Sequence, residues 1–236
     1  MRSRELPLER YDTDKVRNGL VYVYDTLFAH WVDQPVVLLE IGVYRGGSLL
    51  LWRDYFPHGT VVGIDLQLPK DFPPTERILL FQGDQTDTAF LSRVTRQVAP
   101  QGFDIIIDDA SHIGEYTKRT FWHLFDHHLK PGGLYVIEDW GTGYWDDWPD
   151  GKSLDLRLYA PPETLPDPPR SPYDPHWKRP WPNHSYGMVG FIKQLIDEQG
   201  AIDVTRKSLK GHPEREPKFE SMFITTGLVC VRKARR

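Results

Sequence analysis

Five apolar runs dominate the first 140 residues of this chain. They are Val36–Ile41, Thr60–Leu66, Arg77–Gln82, Asp104–Asp108 and Leu134–Glu138. Apolar runs of this length are typical of strands that are covered on both faces, as in a parallel sheet. Because helical patterns lie between most of them, we predict an α/β fold, with a mostly parallel sheet and helices on both faces.

Apolar spacing and breaker residues place the remaining elements. Helices are predicted at residues 16–31, 48–54, 87–98, 116–129 and 187–199, and Pro131-Gly132-Gly133 is expected to end the fourth of them. Two late strands, near 201–205 and 223–231, would complete a seven-stranded sheet. The chain has 236 residues, and we expect a single domain over 1–236.

Composition excludes several classes of function. A net charge of −4 gives no general attraction to nucleic acid or to anionic membranes. The single cysteine, Cys230, excludes an internal disulfide and a cysteine-based metal site. The chain has no long apolar run and no signal-like N-terminus. We therefore expect a cytoplasmic protein that binds neither nucleic acid nor membranes.

Acidic residues stand at or just after the ends of the predicted strands. In open parallel sheets, ligands bind beyond the carboxyl ends of the strands, so these acids are expected to share one site. They are Glu40, Asp65, Asp84, Asp108, Asp109, Glu138 and Asp139.

The turn after the first strand, Gly42–Ser48, resembles a dinucleotide fingerprint but has Tyr44 where a pyrophosphate needs glycine. Glu40 would repel a phosphate and suit a cation. S-adenosylmethionine carries a sulfonium and an ammonium and no phosphate, so charge favours it over a nicotinamide dinucleotide. Asp65 is placed to accept hydrogen bonds from a ribose diol, and Asp84 to read an adenine amino group. The alternative is that these acids only cap turns and helices.

Asp109, Glu138 and Asp139 offer three hard oxygen ligands, which suit Mg²⁺, Mn²⁺ or Ca²⁺ rather than Zn²⁺. Adjacent strand residues point to opposite faces. Glu138 and Asp139 can therefore share a metal only if the chain turns there, and Gly141 and Gly143 favour such a turn.

Together these motifs resemble class I S-adenosylmethionine-dependent methyltransferases, and more narrowly the metal-dependent sugar O-methyltransferases of macrolide biosynthesis. The chain is also similar to the methyltransferases of mycobacterial methylmannose polysaccharide assembly. The resemblance covers about residues 11–145, and its most specific part is Asp-Asp-x-Ser-His followed by Ile-Glu-Asp. The matching stretches are Tyr11–Lys15, Leu39–Val43, Gly46–Leu49, Phe81–Asp84, Ile107–His112 and Val136–Asp139.

The resemblance implies a Rossmann-like seven-stranded fold, a homo-oligomer, and methyl transfer from S-adenosylmethionine to a sugar hydroxyl with Mg²⁺, or Mn²⁺ in its place. It implies that Asp109, Glu138 and Asp139 hold the metal. His112 would be the general base beside Asp109, because a neutral imidazole can take the proton of a metal-acidified alcohol. The alternative is a histidine that caps the next helix or only orients Asp109.

Residues 1–34 are expected to cover the cofactor. The resemblance implies that Thr13, Asp14 and Lys15 help to close over the cofactor. The expected cofactor-binding residues are Thr13, Lys15, Glu40, Gly42, Ser48, Asp65, Gln67, Asp84 and Asp108. Asp108 either bridges the cofactor and the metal or caps the next helix; the residues leave this open, and the resemblance favours a position near the cofactor.

Residues 141–186 hold half of the chain's 20 prolines and half of its 8 tryptophans. A loop of this length is usually functional or disordered, and disordered segments are poor in aromatic residues. We predict a substrate lid whose aromatic faces stack on sugar rings; the alternative is a subunit contact.

The same motifs would also suit two other functions. A catechol-type methyltransferase also presents two vicinal oxygens to Mg²⁺, but a flat diol needs no lid of this size. A non-catalytic protein that binds S-adenosylmethionine would not need Asp109, His112, Glu138 and Asp139 together.

Overall fold

The computed structural model describes residues 2–73, 75–152, 184–206 and 214–235. A seven-stranded sheet forms its centre. The strands are β1 (Val37–Ile41), β2 (Thr60–Asp65), β3 (Ile78–Gln82), β4 (Phe103–Asp108), β5 (Leu129–Glu138), β6 (Phe219–Ile224) and β7 (Leu228–Lys233).

The strands lie in the order β3-β2-β1-β4-β5-β7-β6. Neighbours among β1 to β5 pair in parallel, whereas β7 runs antiparallel to both β5 and β6. The carboxyl ends of five strands therefore meet at one edge of the sheet. The predicted seven-stranded, mostly parallel α/β sheet is confirmed.

The helices pack against both faces of the sheet. Successive residues of β1 point to opposite faces, so Leu39 packs in a core with Phe121 and Leu38 in a second core with Trp52. The helices are α1 (Asp14–Arg17), α2 (Leu20–Phe28), α3 (Gly47–Tyr55), α4 (Thr88–Val98), α5 (Gly114–His127), α6 (Pro149–Lys152), α7 (Gly187–Gln199) and α8 (Ala201–Val204).

The predicted helix over 16–31 is divided in two. Gly19 adopts a φ of 72° between α1 and α2. Glycine reaches this left-handed conformation at little cost, so it ends the first helix where side-chain spacing alone suggested continuity.

The predicted strand near 201–205 is wrong, because these residues form α8. Ile202 and Val204 are exposed rather than turned into a core. The predicted strand over 223–231 is a hairpin of β6 and β7. Its turn is closed where Thr225 N donates to the Leu228 carbonyl at 2.8 Å.

Pro131-Gly132-Gly133 does not end a helix, since α5 has already ended at His127. These residues lie inside β5 and form a bulge. Leu129 pairs with Phe103, whereas Leu134 pairs with Ile105, only two residues further along β4.

The predicted substrate lid falls mostly on residues 153–183, which lie outside the described residues. The lid therefore stays a prediction. Within the described ranges, no helix is long and apolar enough to cross a membrane.

Candidate active site

A cavity of about 1130 Å³ opens at the carboxyl edge of the parallel strands. Its walls come from the turns that follow β1 to β4, from Asp139 after β5 and from residues 12–17. This is the edge at which the topology predicts a ligand. Ten of the residues predicted for the site line it: Thr13, Lys15, Gly42, Ser48, Asp65, Gln67, Asp84, Asp109, His112 and Asp139.

Two glycines allow the walls to approach each other. Gly42 has a φ of 95°, and a Cβ there would overlap the backbone carbonyl of Asp109. A Cβ on Gly47 would overlap the carbonyl of Asp12. The glycine turn thus packs directly against the loop after β4 and against the N-terminal segment.

Asp65 and Asp84 both line the cavity and both also cap local turns. Asp65 Oδ2 accepts a hydrogen bond from Val43 N at 2.7 Å, and its Oδ1 accepts one from Gln67 N at 3.0 Å. Asp84 Oδ1 accepts from Thr86 N at 2.7 Å. Both acids therefore cap local turns, as the alternative predicted. Both also line the cavity, so the predicted contacts with the ribose and the adenine remain proposals.

Asp109, His112 and Asp139 form a group on the cavity wall. One ligand atom from each lies within 4.8 Å of the others. His112 Nε2 is 3.9 Å from Asp109 Oδ1 and 3.9 Å from Asp139 Oδ2. Burial raises the pKa of Asp139, while His112 lowers it and Asp109 raises it further.

The backbone turns sharply at two members of this wall group. His112 has a φ of 50° and Asp139 a φ of 51°. Non-glycine residues in this region cost about 1–3 kcal/mol, and such strain is concentrated at functional sites. Thr142 Oγ1 donates to the His112 carbonyl at 3.2 Å, and the Trp148 ring centre lies 5.7 Å from that of His112.

Lys15 joins a second group of carboxylates beneath the wall. Its Nζ lies 2.5 Å from Asp109 Oδ2, 3.1 Å from Glu40 Oε1 and 3.2 Å from Glu138 Oε1. Burial acts to lower the pKa of Lys15, but the carboxylates, led by Asp109, raise it well above its ordinary value. Tyr24 donates its hydroxyl proton to Glu138 Oε1 at 2.5 Å.

Glu40 and Glu138 are almost fully buried and do not line the cavity. Burial raises the pKa of both carboxyls, although Lys15 opposes this. Lys15, which does line the cavity, contacts Glu40, and the predicted contact between Glu40 and the cofactor stays a prediction. The predicted ligands Glu138 and Asp139 lie in different groups that share only Asp109.

Asp108 is 2% exposed and faces the protein interior rather than the cavity. It accepts a hydrogen bond from Tyr135 Oη at 3.1 Å, and burial raises its pKa to about 7. The Asp108 side chain therefore does not line the cavity, and its predicted contact with the cofactor stays a prediction. Asp108 and Asp109 are adjacent at the end of a strand, so their side chains diverge.

The donor chemistry fits a hard divalent cation. Asp109 and Asp139 present carboxylate oxygens at the wall, and Glu138 lies behind them in the Lys15 group. Glu40 is a further buried carboxylate in the Lys15 group, with Lys15 Nζ 3.1 Å from its Oε1. Oxygen donors of this kind are the ligands that Mg²⁺ and Ca²⁺ prefer.

Sequence reasoning missed three supporting residues. Tyr24 was predicted only as part of an amphipathic helix, and nothing in its spacing indicated Glu138 as its partner. Gln85 is buried and donates to Thr120 Oγ1 at 3.3 Å, while its Oε1 accepts from Ser111 N at 3.2 Å. Gln85 directly follows Asp84, and this position after a predicted strand end could have indicated a role near the site. Trp148 lies in the predicted lid segment, and its position in the sequence does not indicate that it packs beside His112.

No protein-family model matches the chain. Mycinamicin VI 2''-O-methyltransferase from Micromonospora griseorubida is 45% identical over 129 residues, which cover 52% of this chain and 31% of that protein. Demethylmacrocin O-methyltransferase from Streptomyces fradiae is 34% identical over 199 residues, covering 76% of this chain and 49% of that protein. The chain thus spans less than half the length of these relatives.

Among solved structures, the MycE methyltransferase from the mycinamycin biosynthetic pathway, in complex with Mg and SAH, is 33% identical, with a TM-score of 0.67. The match covers 91% of this chain and 48% of MycE.

The seven-stranded sheet of this chain is the class I methyltransferase fold. Within that class, its homologues are the sugar O-methyltransferases of macrolide and tetracenomycin biosynthesis.

Proposed function

We propose that this chain carries a Mg²⁺-dependent O-methyltransferase activity that methylates a sugar hydroxyl. The sugar would be a hexose unit of a glycoside, an oligosaccharide or a macrolide-type natural product, and a methylated mannoside is included. The observation that carries the proposal is the wall group of Asp109, His112 and Asp139, which borders the same cavity as Asp65 and Asp84.

The relatives support the choice of substrate class. Those that match are named for methylation of sugars on macrolides and tetracenomycins. One MycE structure contains Mg, SAH and mycinamycin VI. SAH is the demethylated product of S-adenosylmethionine, so a methyl donor is proposed here as well.

In this proposal, S-adenosylmethionine supplies the methyl group and the divalent cation acidifies the sugar hydroxyl. Asp109, Asp139 and Glu138 are the proposed metal ligands. His112 is the proposed general base: its Nε2 faces the same two aspartates and can accept the hydroxyl proton. Asp65 is proposed for the ribose, Asp84 for the adenine, and Thr13, Gly42, Ser48 and Gln67 for the rest of the cofactor.

Three further predictions remain part of the proposal. Residues 1–34 would cover the cofactor, since residues 12–17 already border the cavity. Residues 141–186 would contact the acceptor sugar. The protein would act in the cytoplasm as a homo-oligomer.

Methyl transfer tests the proposal directly. The protein is incubated with methyl-labelled S-adenosylmethionine, Mg²⁺ and a panel of unmethylated rhamnosides, deoxyhexosides, mannosides and catechols. We expect label in at least one glycoside, and we expect EDTA to abolish transfer while leaving cofactor binding nearly intact.

Two outcomes would contradict the proposal. Faster turnover of catechols than of every glycoside would assign the protein to aromatic diols. Cofactor binding without transfer to any acceptor, with or without Mg²⁺, would favour a non-catalytic binding protein.

A further inference from the structure

Lys15 is the centre of a buried group of three carboxylates. Its side chain is 1% exposed, and its ammonium lies within 3.2 Å of oxygens from Glu40, Asp109 and Glu138. A lysine is rarely buried to this extent unless it is paired. Here one positive charge faces three carboxylates.

The group has more carboxylates than positive charges. Glu40 is fully buried, and its ion pair among the described residues is with Lys15, whose Nζ lies 3.1 Å from Oε1. Glu138 gains a hydrogen bond from Tyr24, which adds no charge. A divalent cation would supply twice the charge of the ammonium at the same carboxylates.

Asp109 belongs both to the Lys15 group and to the wall group with His112 and Asp139. Lys15 lies 2.5 Å from its Oδ2. A cation drawn to Asp109 therefore competes with the ammonium. Lys15 and Tyr24 both contact Oε1 of Glu138, so a cation that binds this oxygen also competes with them.

We propose that Lys15 is an internal cation that occupies the carboxylates in the metal-free protein and is displaced when a divalent metal binds. This inference rests on the proposed metal-dependent function. It gives Lys15 a positioning role in metal loading, in place of the direct cofactor contact expected from the sequence.

Displacement of Lys15 would also move part of the cavity wall. Lys15 lies on the four-residue helix α1, which Thr13 caps by accepting a hydrogen bond from Lys15 N at 3.3 Å. Asp12, Thr13, Asp14 and Arg17 all line the cavity. Metal binding would therefore alter the segment that borders the cofactor, and by linkage cofactor binding would alter metal affinity.

The test measures Mn²⁺ binding to the metal-free full chain, by the paramagnetic signal of the free ion. Lys15→Met removes the competing charge at similar length. Lys130→Met is the matched control, because Lys130 forms a half-buried ion pair with Asp104, which lies at the opposite end of β4 from Asp109. We expect Lys15→Met to bind Mn²⁺ at least about tenfold more tightly than the native protein, and Lys130→Met to bind like the native protein.

A second measurement needs no variant. In the native protein, we expect Mg²⁺ to speed backbone hydrogen exchange in a peptide covering residues 12–19, and not in one covering 103–108. Unchanged exchange at 12–19 in protein saturated with Mg²⁺, or equal or weaker Mn²⁺ binding by folded Lys15→Met, would overturn the inference. If neither the native protein nor any variant bound Mn²⁺, the metal dependence of the proposed function would be wrong as well.

Discussion

Glu138 and Asp139 are neighbours in sequence, yet their carboxylates lie in separate groups. Glu138 is 2% exposed at its side chain and contacts Lys15, whereas the Asp139 side chain is 33% exposed and faces His112. The left-handed turn at Asp139, with its φ of 51°, ends β5 there. Asp109 belongs to both groups and so lies close to both acids.

Replacing Glu138 tests its predicted role as a ligand. We expect Glu138→Gln to weaken Mg²⁺ binding by about tenfold or more, because the amide keeps the shape of the side chain but loses its charge. Calorimetric titration with Mg²⁺ measures the change, with the solvent-facing Glu220→Gln as control. Native affinity in Glu138→Gln would remove this residue from the ligand set.

Replacing His112 separates catalysis from binding. We expect His112→Ala to lower kcat by about 10²–10⁴-fold, the usual contribution of a general base, and to keep the affinity for S-adenosylhomocysteine. His127→Ala, at the far end of α5, serves as control. If His112→Ala turned over at a near-normal rate, His112 would only orient its neighbours.

Replacing Gly42 tests the close contact between the glycine turn and the loop after β4, and replacing Gly141 serves as the control. Gly42 has a positive φ and no room for a Cβ, whereas a Cβ on Gly141 would meet nothing within 4 Å. We expect Gly42→Ala to lower the free energy of unfolding by about 2 kcal/mol or more, and Gly141→Ala to change it by about 0.5 kcal/mol or less. Urea unfolding measures both, and equal effects would contradict the contact.

His128 predicts a pH dependence of stability. Burial, with help from nearby His123 and His127, lowers the pKa of His128 from 6.5 to about 4. Its Nε2 lies 2.9 Å from Ser92 Oγ. As pH falls from 6.5 towards 4, the unfolded chain takes up a proton that the folded protein does not, so stability falls.

His128→Gln should remove that part of the acid sensitivity. The ring is only half-buried, so solvent screening should keep the effect to about 1 kcal/mol. Urea unfolding of both proteins across this pH range provides the comparison. Identical pH slopes would show that His128 does not contribute.

The architecture could be predicted because it depends on the hydrophobic pattern of the sequence. Apolar runs gave the five parallel strands, and the parallel topology brought their acidic ends to one cavity. The strand predicted near 201–205 is wrong because Ile202 and Val204 are exposed and lie in a helix. The helix predicted over 16–31 is divided because Gly19 ends its first part.

The site was predictable as a set of residues but not as an arrangement. Sequence indicated Asp109, His112, Glu138 and Asp139, since these types follow the strand ends. It did not indicate that Lys15 would enter among the carboxylates, because that contact joins residues 94 positions apart. Nor could it decide that Asp108 faces inward, since both faces of a buried strand are apolar.

A diffraction experiment can test metal binding at Asp109 and the displacement of Lys15 together. Crystals of the full chain with Mn²⁺ and S-adenosylhomocysteine would be measured at a wavelength where manganese scatters anomalously. We predict a manganese peak against Asp109 and Asp139 beside the bound cofactor product, with Lys15 Nζ withdrawn from Asp109. The contrary result is a cavity that holds the cofactor product but shows no manganese peak, with Lys15 Nζ still in contact with Asp109. It would contradict both the metal site and the displacement of Lys15.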